Sequence, residues 1–63
     1  MTPVEKEWFL SLPEETKLGI LEDSLKEKEF GIFMAMTKIL LDAPIQTGGI
    51  STEKIEEVRK KYF

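Results

Sequence analysis

The chain contains no cysteine, no histidine and no asparagine, and only one glutamine. The first absence excludes disulfide staples and thiol chemistry. With the second it also removes Cys/His zinc sites and imidazole acid–base catalysis. No apolar run is long enough to span a bilayer, since the longest, residues 30–41, is 12 residues with Lys38 inside it. The first 11 residues mix charged and apolar side chains and lack the cationic start and apolar run of a signal peptide. A cytoplasmic location without membrane contact is therefore expected, and no cofactor is.

What is present is 63 residues with 9 Lys+Arg against 12 Asp+Glu, a net charge of −3, and 41% hydrophobic residues. That composition describes one small folded domain over residues 1–63. A domain of this size buries only about 60% of the surface its unfolded chain exposes, so a core without staples is marginal unless its elements are well made or a partner helps. The supply of apolar side chains is generous: leaving out Met1 and the two alanines, 23 Val, Ile, Leu, Met, Phe, Trp and Tyr remain.

Helix punctuation recurs along the chain. Thr2 precedes Pro3 and stands three residues before Glu5, which predicts a capping box opening a helix from Pro3 to about Leu10. Val4, Trp8 and Leu12 follow at spacing four, and Trp8 is expected to anchor the core. Ser11 stands three residues before Glu14, with Pro13 between them, and is expected to cap a second helix running to about Lys26. Leu18, Leu21 and Leu25 form its buried stripe, widened by Ile20, and Glu14 and Glu15 lie at the positive end of its dipole. Gly19 inside that helix costs about 1 kcal/mol relative to alanine, which points to packing or a close backbone approach there.

The third segment, from about Glu27 to Asp42, is apolar nearly all round. At 100° per residue, Phe30, Phe33, Met34, Thr37, Leu40 and Leu41 cover one broad face, while Ile32, Met36, Ile39 and Ala43 cover the other. Only a strip through Gly31, Lys38 and Asp42 is polar. Pro44 ends the segment near Ala43. The stretch from Pro44 to Gly49 reads as a loop in preference to a small hairpin, because an isolated two-stranded ribbon is marginal. Ser51 then caps a last helix, with Ile50 and Ile55 placed as a hydrophobic staple and Ile55, Val58 and Tyr62 on one face. Early Glu53, Glu56 and Glu57 and late Arg59, Lys60 and Lys61 complement its dipole. The expected architecture is all-α, a compact bundle of about four short helices.

Catalysis finds little to work with. Glu14, Glu15, Glu22 and Asp23 match no metal loop or acid–base pair, Gly48-Gly49 lacks the flanking residues of a phosphate loop, and a chain this short leaves little room for a ligand pocket. A non-enzymatic protein is expected. Charge is divided along the chain: residues 1–30 carry four Lys and eight Asp/Glu, a net of −4, and residues 31–63 carry five Lys/Arg and four Asp/Glu, a net of +1.

Three short stretches resemble interaction motifs. Gly49-Ile50-Ser51 followed by Ile55 and Val58 resembles the approach to a helix-turn-helix recognition helix, which implies DNA contact. The connection after Ala43 is longer than the usual turn of that motif, and Glu53, Glu56 and Glu57 would be repelled by phosphates. Leu12-Pro13-Glu14-Glu15 with Ile20, Leu21 and Leu25 resembles the opening of an F-box, over about 14 residues. Tyr62-Phe63 after a helical turn resembles the aromatic tail of peptides that dock into DNA sliding clamps, which implies that both rings enter an apolar pocket. Glu56 stands where that family has glutamine, and Arg59 where it has an aliphatic residue.

The leading expectation is a small helical protein-interaction or regulatory domain, homo-oligomeric and most simply dimeric, associating through the third helix. The interface residues are Ile32, Met36 and Ile39, with Phe33 and Leu40. The alternative is a DNA-associated regulator using Lys54, Arg59, Lys60 and Lys61 or a clamp-like tail of Tyr62 and Phe63; nucleic acid is the less expected partner because of the net charge. A third reading is an acidic inhibitor whose first half meets a basic partner.

Overall fold

At the N-terminus, the Thr2 hydroxyl accepts the Glu5 N–H at 3.2 Å and the Glu5 carboxylate accepts the Thr2 N–H at 3.1 Å, so the capping box is complete. It opens α1, Pro3–Ser11, in a computed structural model that describes residues Met1–Tyr62. Three further α-helices follow among the described residues: α2, Glu14–Lys26; α3, Phe30–Asp42; and α4, Thr52–Lys60. There is no strand among them, and the fold is the expected small all-α bundle.

The start of α2 differs from expectation. Ser11 is still the last residue of α1, and its hydroxyl donates back to the Trp8 carbonyl at 2.6 Å. A hydroxyl bonded into its own helix is not available to cap the next one. Pro13 occupies the cap position instead, extended and without a side-chain cap, and its carbonyl accepts the Lys17 N–H.

Helix α2 ends in a Schellman motif. The Glu29 N–H reaches back to the Ser24 carbonyl at 2.8 Å, the Lys28 N–H reaches the Leu25 carbonyl at 3.1 Å, and Lys28 sits between them in the left-handed region at φ 58°. This reversal is why α3 starts at Phe30 and not at Glu27.

Helix α3 stops at Ala43, whose ψ of 141° is the extended geometry imposed by Pro44. The loop beyond holds one 3₁₀ turn, Ile45–Thr47, closed by Gly48 at φ 102°. A side chain at Gly48 would run into the Leu10 carbonyl, and one at Gly49 into those of Ala43 and Pro44, so the chain passes close to both α1 and the end of α3. The Ile50 N–H then donates to the Leu40 carbonyl at 3.1 Å, tying the loop to α3. Ser51 takes the cap position of α4 without a side-chain cap bond, whereas Ile50 and Ile55 on either side of it are both buried, as a staple requires.

Helix α2 packs against both α3 and α4. The core comprises Phe9 of α1, Leu21 and Leu25 of α2, Phe33, Met36 and Leu40 of α3, Ile50, and Ile55 and Val58 of α4. Leu18, Ile20, Ile39 and Tyr62 lie against it, partly buried. Among the described residues no helix is long and apolar enough to cross a membrane.

Candidate interaction surface

The facing of α3 decides which of its apolar residues remain available. Phe33, Met36 and Leu40 are buried, at i, i+3 and i+7. The core line therefore runs along the seam between the two expected faces and draws Phe33 and Leu40 from one, Met36 from the other. Of the residues expected at an interface, Phe33, Met36 and Leu40 are instead enclosed in the core of the chain, and Ile39 is half-buried against it. Of the five, Ile32 alone is exposed.

Other residues of α3 are exposed in their place. Phe30 is 45% exposed, Met34 69% and Leu41 45%. Their spacing, with Thr37 completing it, is four, three and four, so they form one straight stripe along the flank of the helix. Thr37 is half-buried, and its hydroxyl oxygen is enclosed without a hydrogen-bond partner. The solvent side carries Gly31, Ala35, Lys38 and Asp42, all exposed.

Helix α1 presents a second exposed apolar patch, again against expectation. Trp8 is 60% exposed and Val4 lies open beside it, while Phe9 takes the core position. The spacing of Val4, Trp8 and Leu12 was misleading because Leu12 lies beyond the end of α1 in extended geometry, so the third member of the pattern is not on the helix.

Between α2 and α4 runs an open groove of about 380 Å³, with Leu18, Gly19 and Val58 among the residues lining it. Nothing lies within 4 Å of where a Gly19 side chain would begin, so this glycine leaves space and does not admit another backbone. Glu14, Glu15, Glu22 and Glu57 edge the groove with Lys54 and Lys61. Among the described residues no three acidic groups are arranged to hold a metal ion.

Three of the C-terminal residues expected to meet DNA or a clamp are engaged within the chain. Lys54 donates to Glu14 at 2.8 Å, and this hydrogen bond holds its ammonium above the usual range. Arg59 bridges to Glu56 at 2.5 Å, one turn back on the same helix. The Tyr62 hydroxyl donates to Glu22 at 2.7 Å; that bond pushes the phenol up to about 12 and holds the Glu22 carboxyl below its ordinary value. Lys60 and Lys61 are exposed. Phe63 lies outside the described residues.

Sequence reasoning missed Lys17. It is only 3% exposed, and its ammonium donates to the Leu10 carbonyl at 3.1 Å and the Gly48 carbonyl at 2.6 Å. The Leu10 carbonyl belongs to the last turn of α1, where the helix dipole is negative, so the buried charge meets two aligned acceptors without a carboxylate. One signal was available: Lys17 lies one turn before Leu21 and two before Ser24, and all three are buried. Comparison with protein-family models, curated proteins and solved structures finds no match for this chain.

Proposed function

We propose that this chain is a non-enzymatic helical interaction or regulatory domain that self-associates through the exposed flank of α3. One observation carries the reading: Phe30, Met34 and Leu41 form an exposed apolar stripe on a helix whose other side, through Phe33, Met36 and Leu40, already completes the core. Aligned exposed side chains of this size favour cover by another protein surface. The interface residues change accordingly, from the expected Met36, Phe33 and Leu40 to Met34 and its neighbours on the stripe.

DNA and basic-partner readings have weaker support. Lys54 and Arg59 are balanced by Glu14 and Glu56, and Glu22 is occupied by Tyr62. Those contacts reduce both the positive field of the last helix and the acidity of the α2 surface.

The deciding measurement is sedimentation equilibrium from low micromolar to millimolar protein. The wild-type mass is expected to rise towards that of a dimer, Met34→Glu to abolish the rise, and Lys38→Glu to leave most of it. A monomer throughout the range overturns the proposal.

A further inference from the structure

We infer that the α3 stripe is covered by a second copy of this chain in one register: two α3 helices lie side by side and antiparallel, with Phe30 of each against Leu41 of the other and Met34 against Thr37. This rests on the self-association proposed above and adds its geometry.

The spacing of the stripe supplies the register. Intervals of four, three and four are those of alternating seam positions between two packed helices. They also read the same in both directions, so the outer pair, Phe30 and Leu41, and the inner pair, Met34 and Thr37, share one midpoint between Ala35 and Met36. A two-fold axis through that point satisfies both pairs in a single operation, since residue i meets j wherever j meets i. Each pair sets a longer side chain against a shorter one, which gives the seam an even width.

The residues beside the stripe suit antiparallel packing. Lys38 borders the stripe on the solvent side. In the antiparallel pair it faces Gly31, where nothing lies within 4 Å of the position a side chain would take, and its aliphatic stem can lie over that space. Asp42 meets the Lys28–Glu29 step of the second copy, one charge of each sign. The helix dipoles then oppose each other, which is favourable.

The size of the patch sets the strength. The exposed parts of Phe30, Met34 and Leu41 amount to about 300 Å² per protomer, taking roughly 200 Å² for each whole side chain. An interface about three-fifths apolar then covers about 500 Å² per partner, or about 1,000 Å² in total, at the lower limit for a specific contact. Association should accordingly be weak and reversible, with a dissociation constant on the order of tens of micromolar.

Two measurements test the register. Along α3, Phe30 and Leu41 of one protomer are about 16 Å apart at 1.5 Å per residue. An NOE between the Phe30 ring and the Leu41 methyls of the wild-type protein, in an isotope-mixed sample, therefore arises only between copies, and it is the expected result. Because the chain has no native cysteine, Phe30→Cys and Leu41→Cys give a second readout. Oxidation of an equimolar mixture should yield a disulfide-linked heterodimer well above the yield of either variant alone or of Ala35→Cys, since like positions lie beyond disulfide reach. Retained helical circular dichroism establishes that the variants are folded. Linkage of Phe30→Cys to itself as readily as to Leu41→Cys overturns the register, as does a wild-type dimer lacking the Phe30–Leu41 NOE; both leave self-association standing. A protein that stays monomeric overturns the register and the self-association together.

Discussion

At the scale of single residues, the strongest constraint is the buried ammonium of Lys17. Its acceptors, the carbonyls of Leu10 and Gly48, are 38 positions apart in sequence, so one side chain fastens α1 to the loop that precedes α4. Lys17→Met retains the stem and leaves the part-buried Leu10 and Gly48 carbonyls without this donor. A loss of about 2–4 kcal/mol in urea unfolding is expected, given that a hydrogen bond to a charged group contributes about 1.5–3 kcal/mol. Tyr62, the only tyrosine, gives a pH signature. Its phenol titrates near 10 in the unfolded chain and at about 12 in the fold. The raised value means that the contact with Glu22 contributes fully below pH 10 and is lost as pH rises from 10 to 12. The depressed Glu22 carboxyl has the opposite sign: its share is present above its ordinary value of 4.5 and lost as pH falls below it. Tyrosinate absorbance should therefore show a midpoint near 12 in the native protein. Tyr62→Phe should remove the part of the alkaline stability loss that falls between pH 10 and 12. A native midpoint near 10 would refute the contact.

At the scale of elements, local chemistry made most of the fold legible. The Thr2–Glu5 capping box, the Ile50–Ile55 staple and the Ala43-Pro44 stop act within a few residues, and each stands where spacing placed it. Facing was less legible. Helix α3 has apolar residues on nearly every side, so its own periodicity cannot determine which line turns inward; its neighbours select Phe33, Met36 and Leu40. Trp8 and Ser11 misled because α1 ends at Ser11 and the chain straightens through Leu12 and Pro13. Lys17 left only its helical register as a signal, because one of its acceptors belongs to a distant loop and lysine is rarely enclosed. Backbone geometry yields a prediction at this scale. Lys28 holds a left-handed conformation at φ 58° that glycine adopts without strain, and Gly19 occupies a helix interior with free space around it. Lys28→Gly and Gly19→Ala are each expected to stabilise the protein by about 0.5–1 kcal/mol, read as a shift of the urea midpoint at unchanged slope.

At the scale of the whole molecule, small size and the proposed self-association combine. A domain of 63 residues without a disulfide has little stability in reserve, so a partner that binds only the folded state raises its melting temperature by mass action. Heating at increasing protein concentration should therefore move the wild-type melting temperature upward, while Met34→Glu should melt at the same temperature throughout. A wild-type midpoint independent of concentration up to the millimolar range would count against the dimer.

The enclosure of Lys17 also makes it a chemical reporter. The other seven lysines are exposed, so an amine-directed reagent reaches them in the folded protein without an opening step. Lys17 becomes reactive only when α1 and the Gly48 loop release it together. Its labelling rate, read by mass spectrometry against the other seven as internal standards, measures how often those two segments part. The sequence thus carries its own clock for opening, with no probe introduced.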